Sequence, residues 1–196
     1  MKTNNLFTIV NGVLVECIDE TVKSVEIPEG VTKICRAAFN YCESLESVVI
    51  PEGVTEIGDY AFVGCESLKE INIPDTVTKI GRGAFNYCIS LKEIKISDGV
   101  TKIEKFTFYK CESLEKVILP DSVIEIDICA FRGCKSLESI NIPESVTKIG
   151  NHAFAHCDSL KSVVIPEGVT EIGAHAFYEC ELLESINIPD CKIDMN

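Results

Sequence analysis

Cysteines and histidines are the residues of this chain that could bind a metal ion or act as nucleophiles. Cys129, His152 and His175 follow one another at intervals of 23 residues, and His156 lies four residues after His152. Thiolate and imidazole groups are preferred ligands of Zn²⁺, so the first three residues are a candidate metal site. The equivalent positions in earlier parts of the chain are Tyr60, Gly83 and Phe106. Because this position accepts any residue type and no CxxC element is nearby, we favour an exposed, variable position over a metal site and expect no cofactor.

Seven of the eleven cysteines recur at the same interval and form a second regular series. They are Cys42, Cys65, Cys88, Cys111, Cys134, Cys157 and Cys180, and the others are Cys17, Cys35, Cys129 and Cys191. An odd number of equivalent thiols with parallel side-chain directions is poorly suited to disulfide pairing. We therefore predict buried, unpaired thiols that behave as small apolar side chains, which favours a reducing cytoplasm or an anaerobic setting.

Catalytic motifs are absent from the sequence. It contains no GxSxG, HExxH, P-loop or GxGxxG pattern, so we predict that the protein is not an enzyme. The net charge of −13 disfavours binding to nucleic acid or anionic lipid. No apolar stretch approaches the length of about 18 residues that a membrane span requires, so membrane insertion is not expected.

A 23-residue repeat positions all of these residues. Phenylalanine marks it at Phe39, Phe62, Phe85, Phe108, Phe131, Phe154 and Phe177. In the repeat 67–89, SLKEINIPDTVTKIGRGAFNYCI, the β-branched pair Ile71 and Ile73 predicts a short strand with one buried face, and Pro74 ends it. The seven residues from Arg82 to Cys88, just before the end of the repeat, predict one helical or 3₁₀ turn. Because one unit cannot bury its own apolar edge, we expect the units to stack with parallel strands about 4.7–4.9 Å apart.

The pattern L-x-x-I-x-I-P-x-x-V-T-x-I-G-x-x-A-F-x-x-C-x-S resembles the BspA-like class of leucine-rich repeats over roughly Val22 to Pro189. The resemblance implies an α/β repeat fold, a right-handed leucine-rich-repeat solenoid with a parallel β-sheet. Relatives of this class are often secreted or cell-surface proteins that bind host or matrix proteins. Some positions depart from the pattern: Ser97 replaces Pro, Thr107 replaces Ala, and Glu104 and Asp127 replace Gly.

The composition predicts a single domain, and the resemblance implies that it is one leucine-rich-repeat domain over residues 1–196. Asn11-Gly12 between two apolar runs in 6–18 predicts a β-hairpin that caps the first repeat, within residues 1–20. The repeats fill 21–189, and 190–196 form a frayed end, because Lys192 and Met195 stand where Val and Ile are expected. The first residues do not predict a signal peptide. The chain as given is therefore expected in the cytoplasm, or, if a leader was removed, outside the cell or at its surface.

One acidic residue follows each predicted strand, after the proline position. The series is Glu29, Glu52, Asp75, Asp98, Asp121, Glu144, Glu167 and Asp190. A solvated turn is the favoured interpretation, and a ridge for a basic partner or for calcium is the alternative. Calcium needs 6–8 converging oxygens, which one carboxylate per repeat hardly supplies.

The exposed position of each predicted strand varies among charged, polar and apolar residues, whereas the core positions barely change. The first residue at this position is Glu26. We predict the later residues of the series as candidates for protein binding: Val49, Asn72, Lys95, Ile118, Asn141, Val164 and Asn187. Recognition residues commonly lie on such variable surfaces of a rigid scaffold. We therefore predict a non-enzymatic protein–protein interaction module, with adhesin-type binding of a host or matrix protein as its specific form. The alternative is a structural spacer or a scaffold that self-associates end to end or through its edges.

Overall fold

The computed structural model describes residues 6–187 and 192–193. The chain forms a β-solenoid in which each 23-residue repeat makes one rung. Two strands near the N-terminus, β1 Phe7–Val10 and β2 Val13–Cys17, precede the rungs. The three-residue strands are β3 Ser24–Glu26, β5 Ser47–Val49, β7 Glu70–Asn72, β9 Glu93–Lys95, β11 Lys116–Ile118, β14 Ser162–Val164 and β16 Ser185–Asn187. The two-residue strands are β4 Lys33–Ile34, β6 Glu56–Ile57, β8 Lys79–Ile80, β10 Lys102–Ile103, β12 Glu125–Ile126, β13 Lys148–Ile149, β15 Glu171–Ile172 and β17 Lys192–Ile193.

Equivalent strands of neighbouring rungs pair in parallel, as predicted. In the three-residue series Val48 pairs with Ile71, and in the two-residue series Ile57 pairs with Ile80. An isolated bridge between Ser139 and Ser162 continues the first series between β11 and β14. The two series therefore form two narrow stripes along the solenoid. The pairing is interrupted between β8 and β10 in one stripe, and between β7 and β9 and after β11 in the other.

The segment from Gly81 to Cys88 is a run of tight turns, and no helix occurs in residues 6–187 or at 192–193. The predicted helical or 3₁₀ turn is therefore not confirmed. The N–H of Ala84 donates to the carbonyl of Gly81 in its own rung, but the N–H of Gly83 donates to Lys105 of the next rung. Because alternate N–H groups are used between rungs in this way, a continuous ladder of helical hydrogen bonds cannot form.

The core consists of stacked, equivalent side chains. Successive rings of the phenylalanine series stack with centroids 4.8 to 5.6 Å apart, from Phe39 to Phe177. The leucine, valine and isoleucine positions of the repeat pattern are buried with them, while Leu183 and Ile186 in the last described rung are only partly buried. The shared interval of 23 residues therefore produces continuous apolar stripes through the molecule.

The cysteine series forms hydrogen bonds that the sequence did not suggest. The Sγ of Cys88 donates to the carbonyl of Phe62 at 3.2 Å, and that of Cys111 donates to the carbonyl of Phe85 at 3.1 Å. The same bond recurs from Cys65 to Cys180. Each thiol thus links its own rung to the preceding one. The ten cysteines in the described part of the chain are unpaired, and Cys191 lies outside it.

The predicted hairpin is present at the N-terminus. Asn11 and Gly12 both have positive φ, 51° and 76°, as the two-residue turn between β1 and β2 requires. Strand β2 pairs in parallel with β4, and Leu14 is fully buried against Ile34. The hairpin therefore covers the open edge of the first rung.

At the other end, the pairing register differs from the sequence-based expectation. Ile193 pairs with Ile172, so residues 192–193 form a strand rather than a frayed end. The 23-residue interval would have placed Met195 there, and Met195 lies outside the described residues, as do Asp190 and Cys191. The connection to this last strand is thus two residues shorter than in the other rungs.

Candidate functional site

The outer surface of the three-residue strands, which we call the strand face, presents the predicted binding residues. In β7 the side chain of Ile71 is buried and its two neighbours are exposed, as expected for strands with a period of two. All members of the predicted series are exposed and follow one another along the solenoid: Val49, Asn72, Lys95, Ile118, Asn141, Val164 and Asn187. Strand pairing places Val49 beside Asn72 and Lys95 beside Ile118.

A second series on the strand face was missed by the sequence-based prediction. It occupies the first position of each three-residue strand, and Ser139 is its member in the rung that has only an isolated bridge. The series is Ser24, Ser47, Glu70, Glu93, Lys116, Ser139, Ser162 and Ser185. The same alternation that exposes Asn72 also exposes Glu70, so the signal was present in the pattern. The strand face is therefore two side chains wide, with serines towards both ends and charged residues in the middle.

A groove of about 420 Å³ lies on the strand face across β5 to β11. Its lining includes Val49 and Ile118, together with Glu93, Lys95 and Lys116. The aliphatic side chains remain accessible, because Val49 is 52% exposed and Ile118 is 44% exposed. Val164, further along the same series, is 68% exposed. Exposed apolar surface with a polar rim is one feature of interaction sites.

The acidic series borders the strand face and forms what we call the acidic ridge. Its described members are Glu29, Glu52, Asp75, Asp98, Asp121, Glu144 and Glu167, and all are exposed. The Nζ of Lys95 lies 3.8 Å from Oδ1 of Asp75. This contact shows that strand-face side chains reach the ridge.

The candidate metal residues are adjacent but differ from the expectation in one respect. Cys129 is buried rather than exposed, and burial raises the pKa of its thiol. The rings of His152 and His175 stack with centroids 5.1 Å apart, and Nδ1 of His152 is buried without a hydrogen-bond partner. Within the described ranges, no three Cys, His, Asp or Glu side chains converge as metal ligands would.

The repeating cysteines are not placed for nucleophilic chemistry. Burial raises the pKa of Cys65 to about 12, and it raises the pKa of Cys88, Cys134 and Cys157 well above the usual value. Because the thiolate is the reactive form, these side chains act as hydrogen-bond donors in the core.

A second surface, the turn face, was also missed by the sequence-based prediction. It is formed by the turn segments, residues 36–43 and their equivalents in later rungs. All tyrosines, histidines and arginines of the chain lie in these segments: Tyr41, Tyr60, Tyr87, Tyr109, Tyr178, His152, His156, His175, Arg36, Arg82 and Arg132. The Nζ of Lys110 lies 5.1 Å from the ring centroid of Tyr87, and Nδ1 of His156 lies 3.0 Å from Glu179. The uneven distribution of these residue types could have been noticed in the sequence.

Parallel 23-residue rungs with a continuous apolar core define a leucine-rich-repeat solenoid. The family described as BspA type leucine rich repeat region matches residues 15–138 and 78–195 with six copies. The chain therefore belongs to this family. Leucine-rich-repeat proteins are a general scaffold for protein interaction and are generally non-enzymatic.

Several solved structures are similar to this chain. A leucine rich cell surface protein from Faecalibacterium prausnitzii is 34% identical with a TM-score of 0.70, over 84% of this chain and 54% of the other. A leucine rich repeat protein from T. pallidum is 29% identical with a TM-score of 0.64, over 92% and 77%. One from Bacteroides ovatus is 29% identical with a TM-score of 0.61, over 96% and 51%. The chain thus spans about half the length of the first and third of these proteins.

No curated protein matches the chain. Over the residues that the structure describes, there is no helix with the length and apolar character needed to cross a membrane.

Proposed function

We propose that this chain is a non-enzymatic protein-binding module whose strand face contacts the partner. The observation that carries the proposal is the series of exposed aliphatic side chains on that face, Val49, Ile118 and Val164. Burying these groups against a partner would remove apolar surface from water, which is the main favourable contribution to most protein association.

The scaffold beneath the strand face supports this role. The buried strand residues Ile71 and Ile94 and the stacked phenylalanines hold the exposed residues of neighbouring rungs in register. A partner would therefore meet a preformed surface, and little ordering of this chain would oppose binding. The variable series can change without loss of the core, which is the property that recognition on a repeat scaffold requires.

The adhesin-type form of this function places the module outside the cell, bound to a host or matrix protein. The similar Faecalibacterium protein is described as a cell surface protein and is 34% identical, which supports this placement. The alternative is a cytoplasmic location. Both placements use the same strand face.

The test is a capture experiment with purified protein immobilised on beads, using an extracellular-matrix extract and, separately, a cell lysate. The informative variant is Ile118→Asn, and the matched control is Ile124→Asn. Ile124 is 52% exposed but lies beside the two-residue strand β12, away from the strand face. Both changes replace an exposed isoleucine of the same rung by asparagine, so folding and solubility should be affected equally.

We expect a captured protein to be lost with Ile118→Asn and retained with Ile124→Asn. Loss with both variants, or retention with both, would contradict the assignment of the strand face. If nothing is captured from either source and sedimentation velocity shows oligomers that grow with concentration, the self-assembling scaffold replaces this proposal.

A further inference from the structure

We infer that the strand face takes an extended, cationic segment of a partner protein, with its basic side chains on the acidic ridge and its apolar side chains against Val49 and Ile118. This inference rests on the proposed function, because it names the chemistry of the partner at the same surface. It goes beyond that function by predicting which class of segment binds and in which direction it runs.

The acidic ridge is a line of carboxylates parallel to the solenoid axis. Each member lies three residues after a residue of the exposed series on the strand face, as Asp75 does after Asn72. Because the strands pair with an offset of one repeat, the carboxylates recur about every 4.8 Å. The five intervals from Glu52 to Glu167 span about 24 Å, which an extended segment of about seven residues covers.

The acidic ridge differs from the other charged series of the fold. In the series that contains β4 to β15, opposite charges on neighbouring rungs pair: Lys33 with Glu56 at 2.9 Å, Glu56 with Lys79 at 3.0 Å, Lys102 with Glu125 at 3.2 Å, and Lys148 with Glu171 at 2.8 Å. A third series behaves in the same way, since Glu46 pairs with both Lys23 and Lys69. The solenoid therefore neutralises its charges between rungs where the sequence alternates in sign.

The ridge contains no such alternation. Among its described members, Asp75 alone takes part in an ion pair, at 3.8 Å from Lys95. Neighbouring carboxylates about 4.8 Å apart repel one another, and apart from Asp75 the described members of the ridge have no cation from the fold itself. A row of basic side chains from a partner would supply the missing charges, and this electrostatic complementarity would also set its orientation.

The apolar part of the strand face is the second, independent feature that defines the segment. Val49 and Ile118 line the groove of about 420 Å³ and are exposed. The Lys95–Asp75 contact shows that one side chain can bridge from the strand face to the ridge. A segment in which basic and aliphatic residues alternate would therefore place one set on the ridge and the other in the groove, since alternate side chains of an extended chain point to opposite sides.

The test uses a fluorescein-labelled ten-residue peptide in which Lys alternates with Val, with binding followed by fluorescence anisotropy. Two comparison peptides replace Lys by Glu or Val by Ser. The ridge variant carries Asp75→Asn, Asp98→Asn, Asp121→Asn and Glu144→Gln. The matched control variant carries Glu43→Gln, Glu66→Gln, Asp158→Asn and Glu181→Gln, which removes the same charge from the turn side.

We expect the ridge variant to weaken binding of the Lys-Val peptide about tenfold or more. The control variant should change binding less than about twofold at physiological salt, because distant exposed charges are screened. Binding of the Lys-Val peptide should also weaken with Ile118→Asn. The Glu-Val and Lys-Ser peptides should bind more weakly to the wild-type protein.

Equal loss with the ridge and control variants would overturn the inference, because it would show an effect of net charge alone. Absence of Lys-Val binding, or equal binding of any comparison peptide, would also overturn it. The proposed function is tested separately with the captured partner. A partner that is lost with Ile118→Asn but keeps its affinity for the ridge variant would sustain that function and overturn the cationic segment.

Discussion

The ammonium group of Lys102 lies 2.8 Å from Oδ2 of Asp127, a carboxylate that is almost fully buried. Asp127 occupies a position that is glycine in most repeats, and the N–H of Ile128 also donates to its carboxylate at 2.7 Å. Lys102 lies within 4 Å of Glu104 and Glu125 as well. The departure of Asp127 from the repeat pattern is thus accommodated by a cation on the preceding rung.

Replacing Lys102 by Met should lower the free energy of unfolding by about 2 kcal/mol, because the buried carboxylate of Asp127 loses its cation. The additional change Asp127→Gly should restore most of this loss, since it removes the carboxylate and returns the residue type of the pattern. Urea unfolding followed by circular dichroism measures the free energy of unfolding of the wild type, of Lys102→Met and of the double variant. A double variant as unstable as Lys102→Met would show that the lysine acts through Glu104 or Glu125 instead.

The same ion pair predicts a dependence of stability on acid pH. Burial raises the pKa of Asp127, but the hydrogen bonds from Lys102 and Ile128 outweigh it and hold that pKa below its usual value. Because the pKa is lower in the folded protein, the stabilisation is complete above the unfolded value of about 3.9 and is lost as the pH falls through the folded pKa. The Asp127→Gly variant should therefore lose less stability than wild type between about pH 5 and about pH 2.5, because the carboxylate of Asp127 in the wild type becomes protonated over that range.

Two left-handed backbone positions recur in every turn segment, and Ala37 offers the cleanest test of their cost. Ala37 has a φ of 57°, which disfavours any residue with a Cβ by about 1–2 kcal/mol relative to glycine. Ala37→Gly should therefore stabilise the protein by about 0.5–1 kcal/mol after the entropy of glycine in the unfolded chain is included. The adjacent Ala38 is buried and has no positive φ, so Ala38→Gly should be destabilising. Thermal unfolding of both variants gives the comparison, and a loss of stability with Ala37→Gly would contradict the assigned strain.

The stacked histidines predict that stability falls as the pH is lowered through the range of imidazole titration. Burial lowers the pKa of His152, and the charges of Arg132, His175 and His156 lower it further. A histidine with a lowered folded pKa takes up more protons when unfolded, so stability decreases as the pH falls below about 6.5. His152→Asn, which also tolerates the positive φ at this position, should show a smaller drop in melting temperature between about pH 7.5 and pH 5.5. An equal drop in the two proteins would contradict the effect.

The buried cysteines should react with thiol reagents only when the protein unfolds. With a pKa of about 12 for Cys65, roughly one thiol in ten thousand is ionised at pH 8, and Cys88 and Cys111 are fully buried. Labelling with a disulfide reagent should therefore be slow in buffer and complete in guanidinium chloride. Fast labelling of Cys88 in the folded state, read by mass spectrometry, would contradict its burial.

The strands, the core series and the hairpin could be predicted because each has a local signal in the sequence. Ile71 and Ile73 show a period of two, and Asn11-Gly12 fits a two-residue turn. The helical or 3₁₀ turn predicted for the turn segment is not confirmed. Its actual conformation depends on bonds between rungs, such as Gly83 to Lys105, and these have no signal within a single repeat.

The candidate site was predicted in part for a similar reason. The series with Ile118 stood out because it varies between buried neighbours, whereas Glu70 lies before the buried residue and was overlooked. Cys129 was expected on the surface because its position accepts many residue types. The position instead has a left-handed backbone conformation, with a φ of 54° at Cys129, and the side chain of this cysteine is buried.

The constant offset between paired residues has a consequence for how such a protein can change in length. Lys69 bonds to Glu46 across 23 residues, and Cys88 bonds to Phe62 across 26. A genetic deletion or duplication of one repeat between β3 and β15 would join equivalent points of the chain and recreate the same bonds. Other lengths would shift strands out of register. Descendants of this sequence can therefore grow or shrink in steps of about 4.8 Å, and each step adds or removes one position at which binding specificity can be altered.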